Sequence, residues 1–505
     1  MTDPSCSTPT PIASPPDRAG QGPDAAAPPR CFESRGRLVC HGADIAYRCL
    51  AGETILSDAK SKPRASIFSF SYLADSDAAH LRPVTFLFNG GPGSASLWLH
   101  MGAFGPRRLV MPADAKPAGS GPYNVIDNPL CCLDATDLVF IDPPGTGYSR
   151  MLGEAKPEDA WGVETDAELV AEFIKAWLSA QRRWASPRYL CGESYGTTRA
   201  VAVAGKLAGG LAGVAFNGIA LISAILDFHT ARFERGNPLA DASFMPTYAA
   251  TALHHGRATA PDGREAFLNE ARRFAVMEYL PALFAGSRLA DDRQRNVRLK
   301  LARLTGLSET WLEGTRLRIE PSRFRKELLR DEGLTLGRFD TRYTGRDYDD
   351  VGELPDADAS SYAMDGAYVA AMLDYLTRSL GIDWDRPYVA FNRDALTNWD
   401  WHGPKKEGGP TWPGYTNVAP ILGTLLRQNP ALKVLMANGI YDLATPFHAS
   451  ECTVAGNGIE AGRVRMTYYE AGHMMYLHEP SLHALIDDIR GWMAPDEVTQ
   501  APNLD

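Results

Sequence analysis

The run Arg188-Tyr189-Leu190-Cys191-Gly192-Glu193-Ser194-Tyr195-Gly196 decides how the rest of this chain is read. Arg188 to Gly192 has the short apolar character of a strand, and an alanine-rich segment with helical character follows Ser194 as far as about Leu207. Between them Gly192 to Gly196 fits G-x-S-x-G, in which a serine sits on a tight strand-to-helix turn and small neighbours avoid clashes. Glycine occupies 46 of 505 positions, so the pattern alone is a weak signal; the flanking strand and helix give it weight over a plain surface-turn serine. A helix starting there also points its positive dipole end at the serine.

A serine hydroxyl is a poor nucleophile near neutral pH and needs a histidine base with a carboxylate to orient it. On this kind of turn the partners follow in the order acid, then histidine, each just beyond a later strand. Asp442 follows the strand-like VLMANG in NGIYDLATPF, and His473 follows VRMTYYE in EAGHMMY. The competing readings are an aspartate that closes a turn and a structural histidine. His448 follows Asp442 too closely for the base role, and His478 and His483 fall at the start of the last helix. Acyl chemistry also needs two backbone donors for the developing oxyanion. The amide of Tyr195 is the first candidate, and Gly91 in Asn89-Gly90-Gly91-Pro92-Gly93-Ser94 is the second. That glycine-rich loop lacks the lysine of a phosphate loop and the spacing of a dinucleotide site.

Continuous apolar runs at VTFLFN (84–89) and DLVFID (137–142) read as strands buried on both faces. An amphipathic helix at about 159–184, the strand at 188–192, the helix after Ser194 and an apolar run at 214–225 complete an alternation that predicts a parallel sheet with crossover helices. Before it, 37–73 reads as antiparallel hairpins. From about 227 to 430 come charged helical segments, such as 264–274 and 291–304, then an aromatic stretch from Trp384 to Tyr415. Strand character returns at 433–439 and 464–470, before a last helix at 481–492. The expected organisation is a Pro/Ala-rich disordered lead (1–30), core (31–226), helical cap insertion (227–430), core (431–495) and tail (496–505).

A net charge of −10 argues against general binding to nucleic acid or anionic membrane. No apolar stretch approaches the roughly 18 residues needed to cross a bilayer. The eight cysteines lack C-x-x-C spacing and read mostly as free thiols. The first thirty residues hold eight prolines with Asp3 and Asp17, which is unlike a secretory signal, so a cytoplasmic location is expected.

Together FLFNGGPGSAS, DLVFIDPPGTGYSR, YLCGESYG and the pair NGIYDLATPF and YEAGHMMY resemble the serine carboxypeptidases, peptidase family S10, over roughly 65–225 and 430–493. The resemblance implies an α/β-hydrolase fold, with a mostly parallel central sheet and a large helical cap, and a Ser194, Asp442, His473 triad with Gly91 and Tyr195 as oxyanion donors. It implies that Asn89 and Glu193 hydrogen-bond the free C-terminal carboxylate of a peptide, with Gly90 beside them on the substrate loop. A glutamate next to a bound carboxylate must be protonated to donate, which favours acidic solution. No metal or organic cofactor is implied.

The chain departs from the family pattern at three places. Ala103 stands where a second glutamate usually pairs with that of GESY, so Glu193 is expected to ionise more readily, and Arg107 or Arg108 becomes a candidate for meeting a substrate carboxylate. Ser94 replaces a common cysteine, in keeping with a reducing compartment. Met474 follows the catalytic histidine as a candidate wall of the leaving-residue pocket, with a core methionine as the plain alternative. The same machinery serves an esterase or acyltransferase, and a non-catalytic peptide-binding protein of this fold is the third reading.

Overall fold

The computed structural model describes residues 28–209, 213–402 and 414–494; the lead as far as residue 27, part of the aromatic stretch and the tail 496–505 lie outside the described residues. Turn residues after β1 (Cys31–Cys40) and β2 (Ala43–Ser57) fold these strands and β3 (Pro63–Ala74) into an antiparallel meander. β1 alternates exposed and half-buried residues, as a strand with one wet face does, whereas nearly every residue of β3 is buried.

The short apolar runs become β4 (Val84–Phe88) and β5 (Asp137–Ile141), buried throughout. Then α1 (Val163–Ala180), β6 (Arg188–Glu193), α2 (Tyr195–Leu207) and β7 (Gly218–Ile222) alternate. The run expected at 214–225 supplies a strand only at Gly218–Ile222, because the Asn217 side chain caps Arg188 N at one end and Ser223, at φ 50°, turns the chain at the other.

Next come α3 (Pro238–His254), α4 (Arg264–Phe274), α5 (Asp291–Thr305), α6 (Ala359–Asp374) and α7 (Ala419–Gln428). The chain closes with β8 (Lys433–Gly439), α8 (Phe447–Gly456), β9 (Val464–Tyr469) and α9 (Glu479–Met493).

The sheet order is β1-β2-β3-β5-β4-β6-β7-β8-β9, with the short strand Arg150–Met151 paired to β3. Strands β4 to β9 run parallel to their neighbours within that set, and β3 meets β5 antiparallel. The chain leaves β4 on one side for β5 and returns to its other side for β6, which opens a crevice at the carboxyl ends of the strands. This is the α/β-hydrolase arrangement expected from the motifs.

Alternation along β4 sends Phe86 and Phe88 to the face covered by α1, α2 and α7, where Phe173, Trp177, Val201 and Leu422 pack. Leu87 faces the other layer, with Met372 of α6 and Leu485 and Ile489 of α9. Helices α3 to α5 share a core of their own, including Tyr248, Phe274 and Leu304, which also takes in Ile440, Tyr441 and Phe447 beside the turn after β8. A strap at 389–400 bridges the sheet's upper loops, pairing Val389 with Gly147, Phe391 with Ser94 and Asp400 with Gly162. No helix among the described residues is long and apolar enough to cross a membrane.

One buried ion pair ties these layers to the upper edge. Arg199 Nε of α2 donates to Asp166 Oδ2 of α1 at 2.7 Å, with both side chains 1% exposed. Arg199 Nη1 donates to the carbonyl of Asn89 at 2.5 Å, and its guanidinium lies against the rings of Phe88 and Tyr195. Removing one partner strands a buried charge, so Asp166→Ala is expected to lower unfolding stability by about 3–5 kcal/mol in urea titrations. The double replacement Asp166→Leu with Arg199→Met should recover most of that loss; a single-variant cost below about 1 kcal/mol would show that the pair is not a structural tie.

Candidate active site

Ser194 follows β6 with φ 60° and ψ −131°, a strained conformation for a residue with a side chain, and α2 begins immediately after it. The glycines on either side follow from packing. A Cβ at Gly192 would collide with the carbonyl of Gly196, and one at Gly196 would lie 2.7 Å from the carbonyl of Phe88 in β4. Ser194 itself is half-buried.

Asp442 and His473 come together as expected, with His473 Nδ1 2.7 Å from Asp442 Oδ2 and both side chains buried. The carboxylate is fixed by the Ala444 and Thr445 amides, which donate to Oδ1 at 2.7 and 3.0 Å, and by Thr445 Oγ1, which donates to Oδ2 at 2.7 Å. Burial works against a charged His473 ring, but the charge and hydrogen bond of Asp442 outweigh it and raise its pKa. The serine and histidine turns meet at two successive residues: Ser194 N donates to Ile222 O at 2.9 Å, and Ser223 Oγ donates to His473 O at 2.5 Å. Among the described residues Ser194 Oγ makes no hydrogen bond, and a nucleophile–base contact of this kind commonly tightens only around substrate.

The glycine-rich loop lies against the serine turn. A Cβ at Gly90 would come 2.5 Å from Tyr195 N and 2.7 Å from Glu193 O, so only glycine permits this approach. Gly91 has φ +99°, the left-handed region that glycine tolerates, and Tyr195 N, at the first helical position, has no partner within the helix. Both amides therefore belong to backbone segments bordering Ser194, as an oxyanion site needs.

Glu193 is 2% exposed. Asn89 Nδ2 donates to its Oε2 at 3.0 Å, and the Tyr476 hydroxyl donates to the same oxygen at 2.9 Å. Asn89 is held in turn by Leu99 N, which donates to its Oδ1 at 3.1 Å. Burial pushes the Glu193 carboxyl up to about 7, against the opposing influence of His473 and these two donors. Even without a second carboxylate beside it, the cost of burying the charge stays in force. Tyr476 reaches Glu193 across Gly102, where a Cβ would collide with the Tyr476 ring, while the neighbouring Ala103 is fully buried in the core.

Both arginines offered for a substrate carboxylate already have partners. Arg107 pairs with Asp127 at 2.7 Å and Arg108 with Glu479 at 2.6 Å, so neither is a free cation awaiting substrate. Met474 is 7% exposed and belongs to the core cluster that also contains Tyr368 and Tyr476. Ser94 is buried and donates to Ala95 O at 3.0 Å. The competing histidines are engaged elsewhere: His448 with Glu451, His478 with Ser481, and His483 near Glu479.

The structure adds Thr445, Ser223 and Tyr476, and also Phe339, whose carbonyl accepts His473 N at 2.5 Å and whose ring lies 5.1 Å from the histidine ring. Tyr476 and Thr445 lie three residues after His473 and Asp442, but no motif marked them. Among the described residues no cluster of three or more His, Cys, Asp or Glu side chains is placed to hold a metal ion.

Residues 57–231 match the family model described as serine carboxypeptidase. Serine carboxypeptidase-like 44 of Arabidopsis thaliana is 28% identical over 158 residues, which is 30% of this chain and only 29% of that protein. Among solved structures, a proline iminopeptidase from Mycobacterium smegmatis aligns over 87% of this chain and 97% of its own, at 14% identity and a TM-score of 0.36. A thermostable carboxyl esterase from Bacillus coagulans aligns over 88% and 98%, at 10% identity and a TM-score of 0.35. At these scores the superpositions add nothing to the topology. Residues 57–231 are thus similar to the serine carboxypeptidases, and the sheet that carries them has the α/β-hydrolase order.

Proposed function

We propose that the protein is a serine carboxypeptidase that removes the C-terminal residue of peptides through an acyl-enzyme. Ser194 Oγ attacks the scissile carbonyl while His473 Nε2 takes its proton, Asp442 holds the ring through Nδ1, and the amides of Gly91 and Tyr195 receive the oxyanion. His473 then protonates the departing amine, and water repeats the sequence to free the acyl group.

The observation that carries the peptidase reading is the buried Glu193 carboxyl beside Ser194. Its Oε2 accepts from Asn89 at 3.0 Å and from Tyr476 at 2.9 Å, while Oε1 lies at a longer 3.2 Å from the same hydroxyl and is the better placed to carry the proton. With the carboxyl at about 7, the neutral acid prevails in mildly acidic solution and donates to a substrate carboxylate; above that, two negative charges would face each other. One observation favours a second reading, an esterase or acyltransferase: Ala103 leaves Glu193 without a carboxyl partner, so recognition of the substrate carboxylate rests on fewer groups.

A blocked dipeptide and its C-terminal amide, followed by mass at about pH 5, should separate these readings, with the free acid cleaved about 100-fold faster, equivalent to one charge-assisted hydrogen bond. KM for the free acid should rise about tenfold per unit above pH 7 as Glu193 ionises, while kcat falls on the acid side as His473 takes a proton. In Glu193→Gln, which stays neutral and keeps a donor, the alkaline rise in KM should vanish. Turnover of esters with survival of free-acid peptides from about pH 4 to 8 would contradict the peptidase reading and favour the esterase.

The triad carries its own test. Thr445→Val deletes the hydroxyl that donates to Asp442 Oδ2, so fluorophosphonate labelling of Ser194 should slow about tenfold, the effect of losing about 1–2 kcal/mol of orientation. Labelling of the wild type no faster than of Ser194→Ala would end the enzymatic assignment.

A further inference from the structure

A thiol, an imidazole and a carboxylate lie together on one face of α8. His448 Nδ1 is 2.6 Å from Glu451 Oε2, and its Nε2 is 3.8 Å from Cys452 Sγ. Spacings of three and four residues put these side chains over one another on the helix. Glu451 is anchored from two further elements: Arg272 Nε of α4 donates to Oε1 at 3.0 Å, and the Tyr468 hydroxyl of β9 donates to it at 2.8 Å. The Arg272 guanidinium rests on the rings of Phe447 and Tyr468. A carboxylate so fixed takes the Nδ1 proton of His448 and leaves Nε2 facing the thiol.

Burial divides the roles. His448 is 5% exposed, whereas Cys452 is half-buried and reachable. Burial works against a charged His448 ring, but its bonds to Cys452 and Glu451 outweigh this and push it up to about 9. Elsewhere Cys40, Cys49, Cys131, Cys132 and Cys191 are buried, and burial pushes each thiol up; the exposed Cys31 is raised for the same reason.

We infer that Cys452 is a site of thiol–disulfide exchange, with His448 as its proton acceptor, Glu451 as the residue that positions His448, and a small soluble disulfide as co-reactant. The Sγ proton passes to His448 Nε2, and the thiolate attacks one sulfur of the disulfide. A Cys452 Sγ–S bond forms, the reagent's S–S bond breaks, and its second sulfur leaves as a thiolate. The bound half stays on the protein as a mixed disulfide. This site is independent of the Ser194 chemistry.

The test uses the full-length wild-type protein with limiting 4,4′-dithiodipyridine, each cysteine being followed by peptide mass mapping. At about pH 6 Cys452 should react at least tenfold faster than the more exposed Cys31, and His448→Asn should erase most of that advantage. Equal rates for the two cysteines, or an unchanged Cys452 rate in His448→Asn, would overturn the proposal. The Cys452-to-Cys31 ratio in the wild type is a measure that does not depend on the variant folding.

Discussion

Everything at the upper edge of this molecule depends on β4 and β6 lying side by side and ending at the same level, with Phe88 opposite Gly192. The loops that leave these strands must pass within backbone contact. Gly90 gives the glycine-rich loop room beside the Tyr195 amide, and Gly196 gives the helix room beside Phe88 O. Arg199 then fastens the arrangement from below by holding the carbonyl of Asn89 and the carboxylate of Asp166 together. A serine raised on a strained turn, two backbone donors and the Asn89 side chain are consequences of one close approach.

The same crowding accounts for Glu193. It precedes Ser194 on a strand buried from Tyr189 onward, so its carboxyl is cut off from water and favours the neutral form. Asn89 and Tyr476 supply the hydrogen bonds that make the burial tolerable. Tyr476 comes from just beyond His473, and Gly102 clears its path. A hydroxyl partner keeps the local charge lower than a second carboxylate would, and it supplies a donor without a competing titration.

Much of this was legible in the chain because each candidate catalytic side chain stands just past a short apolar run. RYLCGES, VLMANGIYD and VRMTYYEAGH share a pattern of buried strand followed by a turn, so strand position and chemistry could be read together. Thr445, Ser223, Phe339 and Tyr476 were not legible, because their roles exist only where distant segments meet: Thr445 Oγ1 bonds the Ser223 carbonyl, and Phe339 in the insertion accepts from His473 N. Arg107 and Arg108 misled for the same reason, since Asp127 and Glu479 reach them only through the fold. The helix expected at 159–184 was recognised by its apolar periodicity, but the ends were fixed at Val163 and Ala180 by local turns that periodicity does not show.

The central claim is that a carboxyl beside the nucleophile takes up a proton when it receives a peptide's terminal carboxylate. Calorimetric titration of Ser194→Ala with a blocked free-acid dipeptide at about pH 8, in buffers of different ionisation heat, measures that proton directly. Uptake of about one proton per peptide bound, lost when Glu193→Gln is added, is the predicted result. Binding with no proton uptake, equally tight at about pH 5 and pH 8, would contradict it.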